Sequence, residues 1–181
     1  MHIPDDDEIL RIFREVNQDK AFKALVKKYQ ERLYWHIRKI LITHEDTDDV
    51  LQNTFIKAWK NLHNFKGDSS IYTWLYRIAT NEAITAFNRN KKRYNIIMNE
   101  DYFGACQVFE GNAYFNGNEV DEKLQKAILT LPEKQRIVFN MKYFDDMKFE
   151  EISKILETST GALKASYHHA VKKIEKYIQQ V

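Results

Sequence analysis

The chain has 181 residues, 44% of them apolar, with five glycines, two prolines and one cysteine, Cys106. That length holds one large domain or two small ones, the scarcity of glycine and proline disfavours a turn-rich all-β fold, and a lone cysteine excludes an internal disulfide framework and fits a reducing compartment. The 28 cationic and 26 acidic side chains leave a net charge of +2 that names no partner; no apolar run approaches a membrane span, and the opening MHIPDDDEI is acidic where a signal peptide would be basic, so the expectation is a cytoplasmic protein not itself inserted in a membrane.

In chain order the elements read as helices. PDDDEILRIFREV places Pro4 and three aspartates at a helix start, where negative charge suits the dipole, and Ile9, Leu10, Phe13 and Val16 follow at helical spacing. A longer helix over residues 18–42 carries the stripe Phe22, Leu25, Val26, Tyr29, Leu33, Ile37, Ile40 and Leu41. A third opens in EDTDDVLQNTFIKAWKNL with Asp46 as its cap; Val50, Leu51, Phe55, Ala58, Trp59 and Leu62 mark its buried face. Asp68, Ser69 or Ser70 can cap a fourth, which runs to about Arg89. Residues 94–119 then lose the helical period and every lysine and arginine, and hold four acids and three of the five glycines, the composition of a linker. Helical patterns resume in VDEKLQKAILTL, in PEKQRIVFNMKYF behind Pro132, and in KFEEISKILE and GALKASYHHAVKKIEKYI, separated by the turn TST. Net charge is +4 over residues 1–93, −4 over 94–119 and +2 over the remainder. The expected fold is therefore all-α: two basic helical domains, 1–93 and 120–181, joined by a flexible acidic linker.

Two stretches carry chemistry. FEEISKILETSTGALKASYHHAVKKI has the pattern of a helix-turn-helix: one helix buries Phe149, Ile152, Ile155 and Leu156, and a second, capped by Thr158 or Ser159, buries Leu163, Tyr167, Ala170 and Ile174. Its other face presents Thr160, Lys164, His168, Lys172 and Lys176, suited to major-groove bases and phosphates. Two core helices with a solvated basic face fit the same pattern. The adjacent His168 and His169 point about 100° apart and lack a further ligand at metal spacing. The other stretch is GDSSIYTWLYRIATNEA. On a helix Ile71, Leu75, Ile78 and Ala79 share a core face, whereas Thr73, Arg77, Asn81 and Asn88 share a polar one, with Tyr76 and Thr80 beside it. Aromatics next to such a face can stack with unpaired bases at roughly 1–3 kcal/mol each, Lys66 supplies charge for phosphate, and the loop can rim a pocket for a flipped base. The competing reading buries Trp74, at least in part, with Tyr72 and Asn81 exposed.

DTDDVLQNTFIKAWKNLHNFKGDSSIYTWLYRIATNEAITAFNRNKKR resembles region two of bacterial sigma factors of the extracytoplasmic-function group of the sigma-70 family, and LPEKQRIVFNMKYFDDMKFEEISKILETSTGALKASYHHAVKKIEKYI resembles their region four, in the family's order. The resemblance implies a factor that joins core RNA polymerase, reads the −10 element as single strand and the −35 element as duplex, and works under an anti-sigma factor. It implies −10 contacts from Lys66, Gly67, Asp68, Ser69, Tyr72, Trp74, Arg77 and Asn81, with the base pocket between the Phe65–Ser70 loop and Asn81. It implies −35 contacts from Ser159, Thr160, Lys164, Ala165, His168, His169 and Lys172, and docking on the polymerase clamp through Asp49, Gln52 and Asn53. The strap of residues 94–119 would thread toward the active centre. Leu75 lacks the second aromatic of housekeeping factors, which implies a weaker wedge. Asn53 replaces the usual glutamate, Ser166, His169 and Val171 stand where arginine is common, and Glu157 replaces a turn glycine.

Two other readings use the same residues: a sigma-like decoy that binds an anti-sigma factor without reading DNA, and an ordinary helix-turn-helix regulator, which leaves the first domain unexplained. An enzyme is not expected. No phosphate loop, nucleophile motif or metal cluster is present, so neither a catalytic residue nor a cofactor is assigned. Cys106 reads as a plain thiol, since the acidic linker offers no electropositive setting.

Overall fold

The computed structural model of the chain describes residues 4–41, 43–100 and 119–180. Among the described residues eight helices follow in order: α1 (Asp6–Glu15), α2 (Gln18–Arg38), α3 (His44–Asn61), α4 (Ile71–Glu100), α5 (Glu119–Leu129), α6 (Glu133–Tyr143), α7 (Phe149–Leu156) and α8 (Thr160–Gln180), with a 3-10 turn at Leu62–Asn64. No strand occurs among the described residues. Most of the linker, Cys106 included, lies outside them.

The caps explain the starts. Asp5 and Asn17 accept from the backbone N–H of Glu8 and Lys20, each at 2.8 Å. The cap of α3 is Thr43 and not Asp46: Thr43 Oγ1 accepts from Asp46 N–H at 3.2 Å and donates to the Asp46 carboxylate at 2.7 Å, so Asp46 holds the reciprocal position three residues inside the helix. Ser70 caps α4 by accepting from Thr73 N–H at 3.1 Å, and Ser159 caps α8 through Ala162 N–H at 3.3 Å.

The ends differ more from expectation. Helix α2 stops at Arg38, whose Nη1 donates to the Leu41 carbonyl at 3.1 Å across the tight exit turn. Helix α4 continues past Arg89 to Glu100. The cause is Tyr94, fully buried with its ring 5.4 Å from Phe87 and its hydroxyl donating to Asp46. Arg93 and Asn90 bind the same carboxylate. Part of the basic run thus folds back onto the start of α3. Burial pushes the Asp46 carboxyl up, but hydrogen bonds from Thr43, Tyr94 and Arg93 outweigh it and hold the group below its ordinary value. Burial, then the bond to Asp46, pushes Tyr94 up to about 12.

Helices α1–α4 enclose the larger core, in which Ile9, Leu25, Leu33, Ile37, Ile71 and Leu75 are buried. Each such aliphatic side chain contributes roughly 1.5–3 kcal/mol by leaving water. A smaller core in the rear lobe gathers Ala127, Ile128, Leu131, Phe139, Phe144, Ala170 and Ile174, with Phe139 stacked on Tyr167 at 5.8 Å. The lobes are not separate bodies. Ile137, Val138, Met141, Met147, Ile152, Ile155 and Leu163 of the rear lobe join the larger core, and α7 packs along α4.

Candidate nucleic-acid interfaces

The face of α4 and the loop before it come first. Lys66, Gly67, Asp68 and Asn81 are exposed and Ser69 is half-buried. Gly67 has φ +83°, a left-handed conformation, and a β-carbon there would meet nothing within 4 Å. Glycine is needed for the backbone and not for space. Trp74 is half-buried, with its ring 5.4 Å from Phe65, as the core reading expects. Tyr72 is half-buried and not exposed: its ring lies 4.3 Å from Tyr76 and 6.3 Å from Tyr29, and burial pushes its hydroxyl up to about 12. The polar face divides in two. Asn81 and Asn88 are open to solvent, whereas Thr73, Tyr76 and Thr80 are buried.

The reason lies in the rear lobe. Its α6–α7 turn lowers Asp145 into a notch between α2 and α4. There the carboxylate accepts from His36 Nδ1 at 2.8 Å and from Lys39 Nζ. His36 Nε2 lies 2.8 Å from Thr80 Oγ1, which donates to the Tyr76 carbonyl at 2.6 Å. His36, Lys39 and Asp145 are each less than a tenth exposed. Burial pushes the Asp145 carboxyl up, but the bond from His36, then the two cationic neighbours, more than reverse this and hold it below its ordinary value. Asn140 Nδ2 donates to the Lys39 carbonyl at 3.1 Å, and the Arg136 guanidinium lies 5.1 Å from the Phe87 ring centre. Arg136 Nε and Asn140 Oδ1 are buried with no hydrogen-bond partner. Each such atom costs on the order of 1–3 kcal/mol.

At the outer end of this seam Arg77 pairs with Glu157, the residue that ends α7. Glu157 is left-handed, with φ 51° and ψ 40°, where a glycine would carry no steric penalty. Between the two lobes a cleft of about 310 Å³ is lined by Asp68, Ser69, Thr73, Trp74 and Arg77 on one side and Ser153, Lys154 and Glu157 on the other.

The face of α8 is the opposite case. Ser159, Lys164, Ala165, His168, His169 and Lys172 are exposed, and Thr160 is half-buried at the first turn. The buried side holds Leu163, Ala170 and Ile174, with Tyr167 half-buried. Helix α7 buries Ile152 and Ile155 and braces α8 through Phe149, whose ring is 5.9 Å from Tyr167. No grouping of His, Cys, Asp and Glu suited to a metal occurs among the described residues.

On α3, Asp49, Gln52 and Asn53 are all exposed. They share their face with Ile56, 44% exposed, and the edge of Trp59, 38% exposed. The sequence reading placed Trp59 in the core. Its ring does pack on Phe22 at 4.9 Å and Phe13 at 6.3 Å, but one edge stays in water. The spacing of Ile56 and Trp59 from Gln52, four and seven positions on, was the signal available for grouping them with the polar trio.

The sigma-70 region 2 family matches residues 25–93 and the sigma-70 region 4 family matches residues 121–174. The chain is 30% identical over 173 residues to the RNA polymerase sigma-H factor of Pseudomonas aeruginosa, covering 88% of this chain and 87% of that one. It is 29% identical over 181 residues to the ECF RNA polymerase sigma-E factor of Escherichia coli K12, covering 96% and 94%. Among solved structures, CnrH in complex with the cytosolic domain of CnrY has the same fold, with a TM-score of 0.71 at 23% identity over 97% of each chain. The sigma factor RpoE bound to the anti-sigma factor NepR, from Bartonella quintana, superposes at a TM-score of 0.67 with 21% identity over 88% of this chain and 98% of that one. No helix among the described residues is long and apolar enough to cross a membrane. With both regions matched in order and a relative aligned over most of its length, the chain belongs to the sigma-70 family as an extracytoplasmic-function sigma factor, a transcription initiation factor and not an enzyme.

Proposed function

We propose that this sigma factor docks on core RNA polymerase through the exposed face of α3, reads the −10 element as single strand with α4 and the loop before it, and reads the −35 element as duplex with α8. Residues 1–93 would then be the polymerase- and −10-binding domain, residues 120–181 the −35-binding domain, and 94–119 their connection. The observation that carries the reading is the cleft beside Trp74. A left-handed Gly67 bends the loop, Ser69 and Thr73 offer hydroxyls, Arg77 offers charge, and Asn81 stands exposed one turn further along. These are the parts a pocket for an extruded base requires: an aromatic wall, edge-reading polar groups and a cation for phosphate.

On α8, the exposed Lys164 and Lys172 suit phosphate, while Thr160, Ala165, His168 and His169 lie where a recognition helix meets base edges. On α3, Asp49, Gln52 and Asn53 supply polar contacts, and the apolar edge of Ile56 and Trp59 gives the same face a dry centre. The likeness to a sigma factor solved with an anti-sigma factor supports a partner of that class here.

Runoff transcription with the full chain and core polymerase on promoter fragments tests the reading. Discrete start sites are expected. Tight polymerase or anti-sigma binding with no starts on any fragment would contradict it and favour the decoy.

A further inference from the structure

We propose that duplex binding by α8 is coupled to proton uptake: His168 and His169 each take a proton from solvent as DNA phosphates close on them, so the rear lobe grips duplex more tightly as pH falls through neutrality. The inference rests on the reading of α8 as the duplex-binding helix, and adds a condition under which that helix binds.

Three observations carry it. First, both imidazoles are available. They are exposed, with ring centroids 6.2 Å apart, and among the described residues neither has a hydrogen-bond or ion-pair partner. His36 and His44 differ: the first meets Asp145 and Thr80, and the second meets Tyr34 at 2.5 Å. Ring nitrogens already held by the protein cannot turn to a ligand, whereas those of His168 and His169 can.

Second, their setting is cationic. Lys164 and Lys172 stand four positions before and after His168, and Lys172 and Lys173 stand three and four positions after His169. Residues at these spacings are neighbours on a helix. Lys164 lies over the Phe149 ring at 6.0 Å and Lys173 donates to the Gln135 side chain at 3.0 Å, so neither is neutralised by a carboxylate. Glu175 is two turns on, roughly 9–10 Å along the axis. Helices α5, α6 and α7 pack on the other side of α8, where Leu163, Ala170 and Ile174 are buried. Of their described charged groups, α5 carries Lys123 and Lys126. The carboxylates are Glu133 on α6, Glu150 and Glu151 on α7, and Glu157 just beyond it. Glu151 accepts from the Lys148 N–H at 2.8 Å and Glu157 pairs with Arg77, and none of the four meets either imidazole. A phosphate backbone brought against this face therefore reverses the sign of the charge near the rings, and a close opposite charge favours the protonated form.

Third, the pair straddles the exposed face. Consecutive helix positions point about 100° apart, so His168 and His169 flank the line from Ala165 to Lys172. A helix seated in the major groove has a sugar–phosphate backbone on either side, and this arrangement offers one ring to each. Histidine ordinarily gains its proton between about pH 5 and 8, far below lysine. These two phosphate contacts are thus conditional where the lysine contacts are permanent.

The test measures affinity of the full chain for a fluorescent mixed-sequence DNA duplex, since phosphate contacts need no particular sequence. Ionic strength is fixed and pH runs from about 6 to about 8. Wild-type affinity should fall about tenfold across that range. Calorimetry in two buffers of different ionisation heat should count net proton uptake near neutrality. The double variant His168→Gln, His169→Gln keeps two polar side chains on an exposed face. It should lose affinity most at the acid end, flatten the profile to within about twofold and abolish the uptake. Lys164→Ala should weaken binding at every pH and keep the slope. Duplex binding that Lys164→Ala weakens, but that does not vary with pH, would overturn the proton link alone. A slope retained in the double variant would assign it to other groups and overturn the role of this pair. Affinity unmoved by both the lysine and the histidine changes would overturn the proposal together with the reading of α8.

Discussion

The two surfaces proposed to meet DNA are built from similar helices and kept in opposite states. On α8 the candidate residues are exposed, and the helix turns its apolar side onto α6 and α7. On α4 the outer part of the polar face is free at Asn81, but the inner part, Thr73, Tyr76 and Thr80, is buried under the rear lobe or against α2. One surface is ready for a rigid duplex. The other is divided, with Lys66, Gly67, Asp68 and Asn81 exposed and its inner residues packed away. The difference teaches that polar residues along one helix face can be divided between solvent and packing by contacts from distant parts of the chain.

The strongest way to break this comparison is to undermine one face from beneath. Leu75, on the core side of α4, is fully buried. Leu75→Ala should destabilise the chain by about 2–5 kcal/mol, as cavity formation in a packed core does, read from the denaturant midpoint. A loss below about 1 kcal/mol would mean that α4 is held by its polar seam and not by its core. A milder cut tests the helix extension. Tyr94→Phe keeps the ring on Phe87 and removes the bond to Asp46, at a cost of about 1 kcal/mol.

The same carboxylate gives a pH dependence with a definite sign. Asp46 and Asp145 are both held below their ordinary value in the folded chain. Their contribution is therefore complete above the unfolded carboxylate pKa of about 4 and is lost as pH falls through the lower folded values. Asp46→Asn should flatten the acid limb of a stability-against-pH curve, and an unchanged limb would show that the hub carries no net charge coupling.

Smaller effects sharpen the contrast on the rear side. Lys164→Ala should weaken −35 duplex binding a few-fold and lower the salt slope by about one counter-ion, with no effect on single-stranded −10 DNA; an unaltered slope would place α8 away from phosphate. Least of all, Glu157→Gly exchanges a strained backbone for a permissive one at the loss of the Arg77 pair. The two effects, each about 1 kcal/mol or less, should nearly cancel in thermal stability.

Much of the fold was legible because the apolar periods are local. The stripes of the first two helices follow from near neighbours in sequence, except for Val16, which caps the end of α1 and is 67% exposed, as do the Ser70 and Ser159 caps and the helix-turn-helix pattern. What escaped depends on residues far apart. The run RNKKR gave no sign that Tyr94, just beyond it, would find Asp46 and prolong α4. Helical spacing puts Thr73 on the polar face and Thr80 beside it, yet both are buried, Thr80 against His36, and Tyr72 found a place against Tyr29 that no periodicity marks. Trp59 is both packed and exposed, a division by atom that a residue-level pattern cannot express. The candidate DNA residues were named from the sequence; that the rear lobe covers some of them depends on Asp145, which local spacing does not connect to α2.

The central claim is that each lobe reads a different form of DNA. Its most direct test is the affinity of the full chain, bound to core polymerase, for two probes: a fork with a single-stranded −10 element, and a −35 duplex alone. For Asn81→Ala the account predicts a loss of about tenfold on the fork, one hydrogen-bonded base edge, with wild-type affinity for the duplex. Equal loss on both probes, or none on the fork, would contradict it.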